Sequence, residues 1–279
     1  MPLDQIDVDN LDDNNEVGGE MSFFDHISAL RGHLVRSAAA IFILTIGIFC
    51  LKGFTENIIR AHLTPDFITY RILCGFSSTT CFDVPKINFQ VTGIMDTFTT
   101  HMSVSFWLAL SLAFPYMIWE IWRFVKPGLH ETEQKAAGGM IFLIGILFFV
   151  GVSFGYYVVA PMAIVFLTSY QFAGAIMMPK LDEYVGSLVM FTIPLGFIFE
   201  LPIILYFLGK IGIVSAELLK ESRRYAVVIL MVIAAILTPS PDALSMFLLF
   251  TPLYLLYEIS IVVVAREQKR QAKAELMNR

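Results

Sequence analysis

One carboxylic acid sits where its surroundings disfavour it. Glu200 is the fifteenth residue of the 23-residue apolar segment Gly186–Leu208, inside the string Phe-Ile-Phe-Glu-Leu-Pro. A charged group near the centre of a membrane span costs about 2.5–3.5 kcal/mol on insertion scales, and Leu or Ile would avoid that cost. The carboxyl therefore faces a polar cavity, a partner group or water, or it stays protonated in a structural hydrogen bond. Pro194 and Pro202 flank it, and each bends a helix and frees backbone carbonyls. One use of such a group is as the proton site of a proton-coupled small-solute transporter. That class is built from repeated halves or paired broken helices at corresponding positions, and the sequence carries no such repeat.

A second group of acids follows an aromatic run. The string Phe114-Pro115-Tyr-Met-Ile-Trp119-Glu120-Ile-Trp122-Arg-Phe124-Val-Lys-Pro127-Gly128 leads out of an apolar segment and breaks its helix at Pro127-Gly128, with Glu131 and Glu133 just beyond. Carboxylates beside exposed aromatics at a membrane surface can hold a cationic peptide. The first turn of a helix, which favours acids, explains the same pair equally well. Upstream, Ser22-Phe-Phe-Asp25 opens a helix in the manner of a capping box, with Phe23, Ile27, Leu30 and Leu34 along one side. This amphipathic helix is expected to lie on the membrane surface before the chain turns into the bilayer. A guanidinium offers carboxylates a planar fork of donors, so a site of this kind prefers paired arginines to paired lysines.

Other chemistries find no support. Gly151-Val-Ser-Phe-Gly155 matches a nucleophile-elbow pattern in letters, but that motif needs a strand–turn–helix context and a His partner. Inside an uninterrupted apolar helix, glycines four apart form a packing face. His26, His33, His62, His101 and His130 all fall at or outside the ends of apolar segments, and no His/Cys grouping has metal-ligand spacing. No metal, no cofactor, no enzymatic activity and no nucleic-acid partner is expected. Cys50, Cys74 and Cys81 are too few for a disulfide framework.

The elements that must position these residues follow from composition. Of 279 residues, 57% are hydrophobic and 15% charged, with a mean hydropathy of +0.71, against about 45–50% and about 25% in soluble domains. A soluble fold of this size could not hide so much apolar surface. The expected class is an all-α polytopic membrane protein. Six apolar segments serve as spans: Leu34–Leu51, Met102–Trp119, Gly138–Ala160, Gly186–Leu208, Tyr225–Leu237 and Ala243–Ala265. The fifth, at 13 residues, reaches about 20 Å. Pro239 and Pro241 join it to the sixth in a tight hairpin, so both are expected to be short, and bent helices around Glu200 would make a cup-shaped bundle. Lys and Arg divide 14 to five between the two sets of connections, which puts both termini in the cytoplasm. Residues 1–20 hold seven acids and no Lys or Arg and read as a disordered tail. They lack the basic start and apolar core of a signal peptide. Residues 21–265 form one membrane domain, residues 53–101 an external cap, and residues 266–279 a basic cytoplasmic tail. Cys74 and Cys81 share the cap, where an oxidising exterior would let them pair; two unpaired thiols are the other reading.

Taken in order, four strings resemble the TatC family, the receptor subunit of the twin-arginine protein translocase. They are His26-Ile-Ser-Ala-Leu30-Arg31, the Phe114-to-Glu133 run, Phe199-Glu200-Leu-Pro202, and Thr238-Pro-Ser-Pro241-Asp242-Ala-Leu-Ser245 continuing through Pro252 to Tyr257-Glu258. The resemblance covers roughly residues 22–265. It implies a plasma-membrane receptor for signal peptides with paired arginines, which helps move folded proteins across the membrane with single-span TatA and TatB partners. It also implies assembly with other copies of itself and the proton-motive force as energy source. In the family, a glutamate on the N-terminal helix and another after the second span form the arginine site. Glu133 matches the second, whereas the first position is Ala29, so Asp25, one turn earlier on the same face, is the expected substitute. Leu30, Arg31, Phe124, Pro127 and Glu131 complete the expected peptide site. The resemblance links Glu200 and the outer hairpin (Thr238, Pro239, Pro241, Asp242, Ser245, Met246) to substrate movement and partner docking. Where the family usually has a glutamine in the sixth helix this chain has Met246, which leaves Thr238 and Ser245 as the candidate polar partners. A short fifth helix would also thin the lipid around it.

Overall fold

A backbone in lipid has no water to bond to, so its polar groups must be satisfied within helices. The computed structural model of the chain describes residues 23–76, 87–126, 131–170, 178–238 and 243–277, and its regular elements are helices. Among the described residues the extended pairing is limited to one parallel bridge, Gln90 with Lys180. Five helical stretches are long and apolar enough to cross a membrane: Leu30–Cys50, Asp96–Val125, Gly139–Ser169, Leu181–Lys210 and Met246–Lys273. They belong to α1 (Phe23–Cys50), α4 (Asp96–Val125), α5 with α6 (Glu131–Phe154 and Ala160–Ser169), α7 with α8 (Leu181–Phe199 and Leu201–Lys210) and α11 (Ala243–Met277). After the short α9 (Ala216–Glu221), the expected fifth span is α10 (Arg223–Leu237), whose 15 residues reach about 22 Å, short of a hydrocarbon core of about 30 Å.

Two elements differ from expectation. The sixth helix is not short: α11 has 35 residues, because the polar sequence after Ala265, rich in Glu, Lys, Gln and Ala, consists of strong helix formers. And α1 runs unbroken from Phe23, so the amphipathic segment and the first span are one helix.

Three sets of contacts fix the arrangement. The α5–α7 contact is built on Gly151 and Gly155, as their spacing suggested. A Cβ on Gly151 would lie 2.7 Å from the Leu195 carbonyl oxygen, and one on Gly155 would lie 2.5 Å from that of Phe191. Polar links then tie the connections together at each end of the bundle. At one end the Gln90 N–H donates to the Pro179 carbonyl at 3.1 Å. At the other, the Ala216 N–H donates to Gln268 Oε1 (3.1 Å) and Gln271 Nε2 donates to the Lys210 carbonyl (3.2 Å). Gly212, at φ +84°, makes the turn that ends α8, a conformation a side chain would oppose. The ends of α1 and α11 that carry the chain termini share this second end, the terminus side; the first is the cap side.

The cap consists of α2 (Lys52–Arg60), a short 3-10 turn over Ala61–Leu63 and α3 (Ile68–Phe76). It docks on a π-helical turn, Gly155–Val159, between α5 and α6, and the cause is Pro161 at the start of α6. Proline has no N–H, so the carbonyl four residues back (Tyr157) and the one five back (Tyr156) both lose their helical donor. The cap replaces them. His62 Nε2 donates to the Tyr156 carbonyl at 2.8 Å, and Thr69 Oγ1 donates to that of Tyr157. In return Tyr156 Oη donates to the Ile58 carbonyl (2.8 Å) and Tyr184 Oη to that of Ile59 (3.1 Å). His62 is fully buried, and desolvation pushes its pKa down to about 4 against the opposing pull of the Tyr156 carbonyl. Burial likewise pushes Tyr70, whose hydroxyl donates to the His62 carbonyl, up to about 12. Cys74 is disulfide-bonded; Cys81, its expected partner, lies outside the described residues, and Cys50 is free and exposed.

Candidate functional site

On the terminus side, α4 ends in alternating aromatic and charged residues. Glu120 projects from its last turns and is 1% exposed. With the carboxylate ionised, His33 Nδ1 on α1 donates to Oε2 at 2.5 Å, and Arg36 Nε lies 3.4 Å from the same oxygen. Oε1 accepts from Tyr116 Oη at 3.0 Å and from Arg123 Nη1 at 3.3 Å. The spacing makes this possible: Tyr116, Glu120 and Arg123 fall on one face of α4, and His33 and Arg36 fall on one face of α1. The side chains that cover Glu120 themselves reach the surface, Arg36 at 49% and Arg123 at 46% exposure. The acid is thus shielded by its own partners rather than sunk in a core.

This cluster fixes α1 against the end of α4. Phe124, half-buried, stands edge-on to the His33 ring at 6.1 Å between centroids. Leu30 and Arg31, one turn before His33, are exposed. Asp25 lies further along α1, and Glu131 and Glu133 form the first turn of α5; these three are described by backbone alone. Pro127 lies outside the described residues. The sequence reading gave Glu120 no role. The usable signal was an acid embedded in an aromatic run at a span's end, which needs a cation, together with unassigned cations at the matching depth of the first helix.

Glu200 closes α7 and opens α8, sitting in the turn between Phe199 and Leu201 where Pro202 enters. It is buried, and its Oε1 has no hydrogen-bond partner among the described residues. An apolar groove of about 390 Å³ opens toward the cap side, lined by residues that include Val104, Trp107, Leu108, Tyr156, Leu188 and Thr192. At the outer hairpin, Pro239, Pro241 and Asp242 lie outside the described residues and Ser245 is described by backbone alone. The Thr238 hydroxyl is buried and donates to the Ala234 carbonyl of its own helix at 2.8 Å. Met246 is half-buried and packs against the main core. Among the described residues no three His, Cys, Asp or Glu side chains group as a metal site would require.

Comparison with known proteins gives one answer. Residues 25–252 match the family described as Sec-independent protein translocase protein (TatC). The TatC of Deinococcus radiodurans is 32% identical, over 89% of this chain and 90% of its own. That of Carboxydothermus hydrogenoformans is 34% identical, over 87% and 92%, and TatCy of Bacillus subtilis 31%, over 93% and 95%. A crystal structure of the twin-arginine translocase receptor TatC in DDM superposes with a TM-score of 0.65 at 27% identity, covering 85% of this chain and 98% of that one.

Proposed function

The chain belongs to the TatC family of Sec-independent protein translocase proteins, and from that premise we propose that it is the receptor for twin-arginine signal peptides in its membrane. Membership makes it a multi-pass membrane protein of a transport system. The finer reading rests on one observation. The Glu120 cluster clamps the α1 segment that carries Asp25, Leu30 and Arg31 beside the end of α4, where Phe124 leads toward Glu131 and Glu133. The acid-bearing start of α1 and the acid-bearing first turn of α5, the helix that follows α4, would then supply the carboxylates that a pair of neighbouring guanidinium groups requires. Asp25 and Glu133 take one arginine each, Glu131 adds charge, and the peptide's apolar stretch follows the groove past Glu200. The terminus side is cytoplasmic, in keeping with its surplus of Lys and Arg. The same reading gives the chain TatA- and TatB-type partners at the α10–α11 hairpin and transport driven by the proton-motive force.

Binding of a labelled signal peptide to the purified full chain tests this. A twin-arginine peptide is expected to bind at least about tenfold more tightly than its twin-lysine form. Glu133→Gln is expected to erase that preference, and Asp25→Asn to reduce it. Equal binding of the two peptides by the unaltered chain rejects the receptor reading. Loss in Glu133→Gln with none in Asp25→Asn rejects only the substitution of Asp25 for the missing family glutamate.

A further inference from the structure

We propose that the groove between α4 and α5 on the terminus side is a binding site for one anionic phospholipid, with its phosphate on Arg123 and Lys126 and its acyl chain along the α5 face. The groove encloses about 640 Å³. Its rim carries Trp119, Trp122, Arg123 and Lys126, and its floor is apolar and includes Phe142 and Ile146. It exists because Gly145 faces Pro115: a Cβ there would meet the proline ring at 3.2 Å, so the small residue lets the helices meet while the larger side chains on either side stand apart.

The charges select the occupant. Glu120 supplies one negative charge to His33, Arg36 and Arg123 together. Arg123 uses Nη1 on Glu120 and lies over the Trp119 ring at 4.9 Å. It is nearly half exposed, and a guanidinium has five donors, so several remain for a phosphate. Indole rings at the headgroup level mark the depth at which that phosphate lies. The floor opens to the lipid, with Phe142 at 74% exposure. An apolar ligand alone would leave the remaining Arg123 donors unused, and a signal peptide would bring its own arginines against the Arg123 guanidinium. An amphiphile with an anionic head matches both halves of the groove.

The chain has three tryptophans, so Trp107→Phe leaves Trp119 and Trp122 as reporters beside the groove. The full-length variant, reconstituted in phosphatidylcholine, is titrated with phosphatidylglycerol or phosphatidylcholine carrying brominated acyl chains, and tryptophan quenching is followed. Saturable quenching is expected at a roughly fivefold lower fraction of the anionic lipid. Lys126→Gln, which leaves His33, Arg36, Tyr116 and Arg123 to hold Glu120, is expected to lower that preference about threefold, and Arg123→Gln with Lys126→Gln to abolish it. Unbrominated phosphatidylglycerol should reverse the quenching while inorganic phosphate at matched ionic strength should not. The proposal is overturned by equal quenching from the two lipids, by a preference that survives the double substitution, or by reversal with inorganic phosphate, which marks a simple anion site. Reversal by a twin-arginine peptide without any lipid preference overturns it too and gives the groove to the peptide. None of these readings depends on whether the chain discriminates arginine from lysine peptides.

Discussion

The cap and the terminus-side cluster solve the same problem with different materials. Each joins chain segments far apart in sequence through buried polar groups: His62 to Tyr156 in the cap, His33 and Arg36 to Glu120 at the other end. The cap uses neutral donors on carbonyls that Pro161 has deprived of their helical partners, and its central histidine is fully buried. The cluster uses one carboxylate and an excess of cations, two of them nearly half exposed with contacts of 3.3–3.4 Å. A neutral network of directional bonds between buried groups has few arrangements and resists opening, even though His62 Nδ1 has no partner among the described residues. A charged, cation-rich network can trade one guanidinium for another at little cost. The cap therefore reads as a fixed anchor, and the cluster as the part of the molecule suited to exchange with a charged ligand.

The largest expected effect breaks the anchor. His62→Ala strands the Tyr156 carbonyl and empties a packed site between Phe67 and Tyr156. The cost is about 3 kcal/mol, read as a drop in the thermal unfolding midpoint of the detergent-solubilised protein. A loss below about 1 kcal/mol would show that the cap is only loosely held.

Acid should do much of the same work without a substitution. His62 has a folded pKa of about 4 against 6.5 when solvated, so the unfolded chain binds a proton that the folded chain refuses. The stability contributed by neutral His62 is complete above pH 6.5 and falls as pH drops toward 4, by roughly 3 kcal/mol in all. Unfolding midpoints taken at pH 7 and pH 4.5 should differ more in the natural chain than in His62→Asn. A parallel decline in both would place the acid sensitivity elsewhere.

At the other end, Glu120→Gln keeps one oxygen acceptor, for Tyr116 or for His33, and removes the charge shared by Arg36 and Arg123. About 1–2 kcal/mol of stability is expected to go, less than at the cap because the arginines can turn to solvent. The contrast sharpens with salt. Raising ionic strength should weaken the natural chain more than Glu120→Gln, since half-exposed ion pairs are screened, and should leave the cost of His62→Ala unchanged.

How much of this was legible in sequence follows from which interactions are local. The apolar runs declared their helices, and the glycines of Gly151-Val-Ser-Phe-Gly155 declared their packing face, because both signals repeat at helical spacing. The break at Glu200 was announced by Pro202. The length of α11 was not, since a search for spans stops at Ala265 where hydrophobicity ends, while helix propensity continues through Met277. Neither polar network could be read in full. Glu120 and His33 are 87 positions apart, and His62 and Tyr156 are 94 apart; nothing in local spacing pairs them. What the sequence held was half of each bargain: an acid without a cation in an aromatic run, and a proline that must orphan two carbonyls.

That second half-signal supports the smallest and most specific prediction. If the cap is held by carbonyls that Pro161 leaves open, then Pro161→Ala supplies an N–H able to bond Tyr157 in an α-helical register or Tyr156 in the π register. The new donor competes with Thr69 and His62 for the same acceptors. The single substitution should change stability little, because a helical bond replaces a side-chain bond. The coupling is the informative quantity. In the Pro161→Ala background, His62→Ala should cost about 1 kcal/mol less than in the natural chain, since the Tyr156 carbonyl is no longer stranded. Strict additivity of the two substitutions would mean that the π turn is kept by its packing against α7, and that the proline only accompanies it.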